Sequence, residues 1–183
     1  YDRFSELVGK RNMAEIPHRK FTPGALLRLR RFCKERGIMV THSHGKGAGL
    51  YSRLITLLSL IPCVHTFHGV HIAEYSPLKR VFYRLYERGA SWLTRAGIAV
   101  SRGEKERILQ EGLMPREKLR LIPNGVPIPE DPATQGHGRP YRVVSMSRFD
   151  SPKNSVFLIK VLEELRLFGS IEDFWFDIIG DGG

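Results

Sequence analysis

Short apolar runs alternate along this chain with stretches whose apolar residues recur every three or four positions. That alternation predicts an α/β fold built on a parallel, Rossmann-like sheet. Thr22-Pro23 opens the first clear helix, because threonine can cap orphan amides and proline is tolerated in a first turn. Leu26, Leu27, Leu29, Phe32 and Cys33 give that helix an apolar side, and Gly37 ends it. A buried strand is expected over 38–41, running into His42-Ser43-His44-Gly45, followed by a helix over 47–60 that stops before Pro62. A second strand, 63–67, ends at His68-Gly69. The helix over 77–93 spaces Leu78, Val81, Phe82, Leu85 and Trp92 as a side expected to face the core, with its cations in water. A third strand, 97–100, meets Ser101, and Glu104 three residues later completes a capping box for a helix over 102–111. The strand over 119–122 leads to Pro123-Asn124-Gly125-Val126, read as a structural turn.

The stretch 127–140 carries Pro127, Pro129, Pro132 and Pro140 with Gly136 and Gly138, a linker by composition. A new unit starts after it: strand 141–146, helix 155–168, strand 174–179, then Gly180-Asp181-Gly182-Gly183. The expected domains are therefore 1–126, a linker at 127–140, and the start of a second β-α-β unit at 141–183. A parallel sheet presents its site beyond the carboxyl ends of its strands. His44, His68, Ser101, Asn124, Arg148 and Gly180 all follow expected strands, so they mark candidate functional rims.

Hydrophobic residues make up 42% of the chain, enough for a packed core. The longest apolar stretch, 54–64, is interrupted by Thr56, Ser59 and Pro62 and is too short to span a membrane. Two distant cysteines, Cys33 and Cys63, suggest reduced thiols and a cytoplasmic setting. The opening Tyr1-Asp2-Arg3-Phe4 has no starting methionine and no signal pattern, and reads as a chain cut from something longer. The charge of +10 is uneven: residues 1–130 hold 23 basic and 11 acidic groups, the remainder 6 and 8. Two electrostatic characters in one chain suggest two units with different partners.

Arg148 leaves a strand end and Lys153 stands at the next helix entrance, a pairing able to cradle a diphosphate. Two solvated surface cations are the competing account. Gly180 after its strand would permit close backbone approach to a ligand. Five of seven histidines crowd into thirty residues: His42, His44, His65, His68 and His71. The pair His42 and His44 resembles the ligands of metal-dependent hydrolases, but Glu74 is the only nearby acid and strand alternation turns His65 aside. No metal is therefore expected, and His68 is the better candidate for touching a substrate. Gly45-Lys46-Gly47 lacks the ending of a nucleotide phosphate loop, although glycines at a helix start let a substrate come close. Lys79, Arg80, Arg84, Arg88 and Arg95 interleave with aromatic residues, as on surfaces that bind anionic lipid or nucleic acid. A basic module of that kind, without catalysis, is the alternative function.

Taken in order, Val40-Thr41-His42-Ser43-His44-Gly45, His65-Thr66-Phe67-His68-Gly69, Ile98-Ala99-Val100-Ser101, Leu121-Ile122-Pro123-Asn124-Gly125-Val126, Ser145-Met146-Ser147-Arg148 with Lys153, and Ile178-Ile179-Gly180-Asp181-Gly182 resemble the retaining GT-B glycosyltransferases of group one. The resemblance implies two Rossmann-like domains, the first for a saccharide or lipid-linked acceptor, the second for a UDP- or GDP-linked sugar donor. It implies that Arg148 and Lys153, with Gly180, hold the donor diphosphate without a metal or other cofactor. His68 corresponds to the family's histidine near the reacting sugar, and His44, Gly45 and Lys46 fall on the acceptor side. Nucleic acid is not an implied partner; an anionic membrane surface on the inner face, met peripherally, is. The family's opening glycine-rich loop and its paired glutamates have no counterpart here, so a middle fragment with little activity of its own is expected. Asn124-Gly125-Val126-Pro127 also departs from the usual Asn-Gly-Val-Asp.

Overall fold

In the computed structural model the chain divides into two compact units, Tyr1–Val126 and Pro127–Gly183. The structure describes all residues except 1, 18, 19, 71, 73, 74, 127, 129–137, 148, 150–153, 182 and 183. The first unit carries a four-stranded sheet of β1 (Thr41–His44), β2 (Cys63–Thr66), β3 (Thr94–Ala99) and β4 (Leu119–Leu121), neighbours in chain order and all parallel. Parallel neighbours need crossovers, and these are α3 (Gly45–Ser59), α4 (Pro77–Trp92) and α5 (Arg102–Gln110); α1 (Asp2–Val8) and α2 (Pro23–Glu35) precede the sheet. In the second unit β5 (Tyr141–Met146) and β6 (Phe174–Ile179) pair in parallel around α6 (Ser155–Leu167). The α/β class with a parallel, Rossmann-like sheet is thus the observed one.

Local chemistry explains the helix starts. The Thr22 side chain accepts from the Ala25 amide at 3.3 Å, with Pro23 in the first turn of α2. Ser101 does the same for α5, accepting from the Glu104 amide at 3.1 Å. Ala25, Leu26, Tyr51 and Ile55 close the α2–α3 contact, while Leu27 is left exposed. Phe67, Val70, Ile72, Ala99, Ile108, Leu113, Met114 and Leu119 form the larger core under β3 and β4.

Two expectations need correction. The first strand lies not over 38–41 but at Thr41–His44, and Met39 and Val40 are exposed. Its ladder with β2 runs from Thr41↔Cys63 to His44↔Thr66, and this register gives His42 and Ser43 side-chain partners on that neighbour, Thr66 and His65. The second correction is the orientation of α4. It buries Glu87, Ala90 and Ser91 and turns Leu78, Val81, Phe82, Leu85 and Trp92 outward. Small residues let the helix approach β3, and the Glu87 carboxylate is met by Arg53 of α3 at 2.8 Å. Arg53 also donates to Thr94 Oγ1 at 3.1 Å, tying α3, α4 and β3 together in the interior.

Candidate functional site

Alternation along β1 and β2 sorts the histidines. Ser43 and His65 share the buried face, where Ser43 Oγ lies 2.9 Å from His65 Nδ1, Ser52 Oγ donates to Ser43 Oγ at 2.8 Å, and Cys63 Sγ donates to Ser52 Oγ at 3.1 Å. Burial, with the nearby Arg53 cation and the other imidazoles, pushes the His65 pKa down to about 3. Gly49 of α3 rests directly on this ring: a Cβ there would come within 2.7 Å of His65 Cε1. His65 and Gly49 are therefore packing residues, as the alternation argument requires.

His42 and His44 project from the other face toward the carboxyl end of the sheet, where His68 follows β2. His44 Nδ1 and His68 Nε2 are 2.7 Å apart, with stacked rings 5.0 Å between centroids. One imidazole must donate and the other accept, so the pair shares a proton. The His42 ring lies 4.3 Å from His44, and its Nε2 sits 2.9 Å from Thr66 Oγ1. Lost hydration, then the neighbouring His44 and His68, lowers the His42 pKa. His68 has a left-handed backbone, φ 54°, and Gly69 follows at φ 105°. Such a conformation costs a non-glycine residue on the order of 1 kcal/mol and needs outside support.

Glu104 supplies that support, and here the expected capping box is only half right. Its carboxylate does not return to the Ser101 amide; Oε2 accepts from Val100 N at 2.7 Å and Oε1 accepts from Gly69 N. One side chain on α5 thereby fastens the turn that carries His68 to the end of β3. The capping pattern identified Glu104 in the sequence, but nothing local in it indicated a partner 35 positions away. Glu104→Ala is expected to cost about 2–3 kcal/mol, the loss of two charge-assisted bonds at a half-buried site. It should also loosen the contact between the His44 and His68 rings, seen as a weakened ring-to-ring NOE in NMR spectra. A variant with wild-type stability and an unchanged His44–His68 NOE would refute this positioning role.

Gly45 starts α3 at φ 72°, immediately after His44. Lys46 Nζ donates to Tyr75 Oη at 2.6 Å and stands 4.9 Å and 4.7 Å from the Tyr75 and Tyr83 ring centroids. Lys79 Nζ covers the same Tyr75 ring at 4.2 Å. His44, Gly45, Lys46 and His68 therefore gather at one rim, and α4 begins beside it. Among the described residues no group of three or more His, Cys, Asp or Glu side chains could hold a metal ion. His71 and Glu74 lie outside the described residues.

In the second unit Gly180 is pressed against the neighbouring strand end. A Cβ there would fall 1.9 Å from the Ser147 carbonyl oxygen, and backbone cannot yield as a flexible side chain can. Ser147 N donates to Ile179 O at 3.1 Å and Phe149 N to Asp181 O at 2.8 Å, so the two turns run alongside one another. Arg148 and Lys153 lie outside the described residues.

With this geometry established, similarity to other proteins becomes informative. The chain is 26% identical over 172 residues to an Escherichia coli protein named UDP-Gal:alpha-D-GlcNAc-diphosphoundecaprenol alpha-1,3-galactosyltransferase, covering 86% of this chain and 44% of that protein. It is 24% identical over 139 residues to the E. coli O-antigen biosynthesis glycosyltransferase WbnH, covering 76% and 40%. The chain thus spans less than half the length of these relatives. Anabaena Alr3699/HepE, solved with UDP and glucose, shares the fold at a TM-score of 0.62 and 16% identity, over 87% of this chain and 44% of that one. A glycosyltransferase from Rickettsia africae does so at 0.57 and 16%, over 96% and 57%. Residues 3–130, more than half of the sequence, match Glycosyltransferase Family 4, and the chain belongs to that family.

Proposed function

We propose that the protein takes part in retaining transfer of a sugar from a nucleotide-diphosphate donor to a saccharide or lipid-linked acceptor. The observation that carries the reading is the hydrogen-bonded His44–His68 pair at the carboxyl rim of a parallel sheet in a member of this family. Two imidazoles sharing a proton offer both a donor and an acceptor to sugar hydroxyls, and His68 is the member closer to the reacting centre on this reading. Gly45 and Lys46 border the same rim on the acceptor side. Arg148, Lys153 and Gly180 are assigned to the donor diphosphate, where two cations would stabilise the charge that develops on the leaving group. That device needs no bound metal. The galactosyltransferase relative is named for a UDP-linked donor and a diphosphoundecaprenol-linked acceptor, which favours UDP and a lipid diphosphate among the possible substrates. Family membership favours transfer over a purely binding role for the basic unit.

Calorimetric titration of the chain with UDP and with GDP tests the assignment. The Arg148→Ala/Lys153→Ala double variant is expected to weaken nucleotide binding about a hundredfold, two charge-assisted contacts of about 1.5 kcal/mol each. Equal affinity in the two proteins would remove both residues from the donor site.

A further inference from the structure

Two lysines converge on one tyrosine at the rim of the first unit. Lys46 Nζ donates to Tyr75 Oη at 2.6 Å, and Lys79 Nζ stands 4.2 Å from the centroid of the same ring. Both lysines are exposed, and among the described residues neither forms an ion pair with a carboxylate. Other cations of the same helices do find one: Arg53 of α3 has Glu87, and Arg80 and Arg84 of α4 share Glu111. The two lysines also stand in the first turns of α3 and α4, where the backbone already carries positive potential. Neither helix has an acid in that turn, and neither N-cap side chain accepts from a backbone amide, as Thr22 and Ser101 do for α2 and α5. A local rule broken without compensation inside the protein points to compensation by a ligand.

We propose that Lys46, Tyr75 and Lys79 form a diphosphate-binding site that anchors the diphosphate of a lipid-linked acceptor. Two ammoniums suit a ligand whose phosphate oxygens carry more than one negative charge. Because Tyr75 Oη accepts from Lys46, its own O–H stays available to donate to a phosphate oxygen. The ring is not a free platform for stacking a sugar, since Lys79 already lies over it. Tyr83 steadies the cluster: its ring centroid is 4.7 Å from Lys46 Nζ, and it meets the Tyr75 ring edge-on with centroids 5.7 Å apart. A Cβ built on Gly45 or Gly47 would meet nothing within 4 Å, so the chain on either side of Lys46 leaves room for a ligand. Lys46 follows closely after His44, and a diphosphate held here would bring its attached sugar beside the His44–His68 pair. The side-chain cations, not the helix amides, define the site. The choice of ester rests on the proposed function, whereas the anion site rests on the lysine–tyrosine cluster alone. Arg148 and Lys153, assigned to the donor, belong to the other unit.

Calorimetric titration of the full chain with geranyl diphosphate, geraniol, inorganic pyrophosphate and UDP provides the test. Geranyl diphosphate is expected to bind, inorganic pyrophosphate to compete with it, and geraniol to bind about a hundredfold more weakly or not at all. Lys46→Gln/Lys79→Gln should weaken geranyl diphosphate about a hundredfold, the loss of two charge-assisted contacts, and Tyr75→Phe about fivefold. Lys46→Arg/Lys79→Arg should recover most of the affinity. Both lysines are exposed, so the circular dichroism of these variants should match the wild type. In the unsubstituted chain geranyl diphosphate should shield Lys46 and Lys79 from acetic anhydride, as read by mass spectrometry. Equal affinity in the wild type and the glutamine variant, geraniol binding as tightly as its diphosphate, or acetylation undiminished by geranyl diphosphate would each overturn the site. Shielding of these lysines by UDP would give the cluster to the donor nucleotide and overturn the acceptor assignment. Geranyl diphosphate binding without UDP binding would defeat the transfer reading alone, and UDP binding without geranyl diphosphate binding would defeat this site alone.

Discussion

Glu87→Ala is expected to remove about 3–5 kcal/mol from the unfolding free energy, because it leaves the Arg53 guanidinium buried without a counter-charge. The pair is almost wholly withdrawn from water, at 2% and 1% side-chain exposure, so solvent cannot screen the loss. Arg53 would retain Thr94 Oγ1 as its hydrogen-bond acceptor, and the Tyr86 ring at 5.9 Å would offer only a weak attraction. The Arg53→Met/Glu87→Leu double variant should lose much less than the single, since it removes both the attraction and the desolvation that opposes it. Urea unfolding of the three proteins decides the matter. A single-variant loss below about 1 kcal/mol, or a double variant as damaged as the single, would show that the pair does not anchor α4.

The same pair explains where sequence reading succeeded and where it went wrong. The α/β order was legible because strands and helices leave different periods, and the expected second-unit strands, 141–146 and 174–179, are those observed. Orientation was not legible for α4. Its apolar period is genuine, but a helix packs by the face whose partners suit it, and here the partner is an arginine 34 positions away. Ala90 and Ser91 allow close approach, while the large apolar residues are left outside. Position was misread for β1 for a related reason: 38–40 is more apolar than 41–44, yet Ser43 gains His65 and Ser52 as partners only in the observed register. His44 and His68 were legible as rim residues because one ends β1 and the other follows β2, and a parallel sheet gathers its strand ends. Glu104 was recognised for its cap and missed for its grip on Gly69, a contact that exists only once the sheet is assembled.

Acidification should expose the cost of the buried imidazole. The folded pKa of His65, about 3, lies below the ordinary value of 6.5. Between those two values the unfolded chain binds a proton that the native state refuses, so stability falls as pH falls. The contribution is whole above pH 6.5, declines across the interval and is gone below about 3, a total on the order of 5 kcal/mol at about 1.4 kcal/mol per pH unit. His42 adds loss of the same sign, since its pKa is also lowered, and therefore a comparison is needed rather than a single curve. His65→Gln keeps an acceptor for Ser43 and has nothing to titrate. It should be less stable than wild type at neutral pH, where the ring packs against Gly49, and should show a visibly flatter decline of unfolding free energy between pH 6.5 and 4. The residual slope in the variant then reports His42 and the carboxylates. Parallel curves for the two proteins across that interval would mean that His65 is protonated without penalty, and that the Ser43–His65–Ser52 cluster opens to water instead of holding β1 and β2 in register.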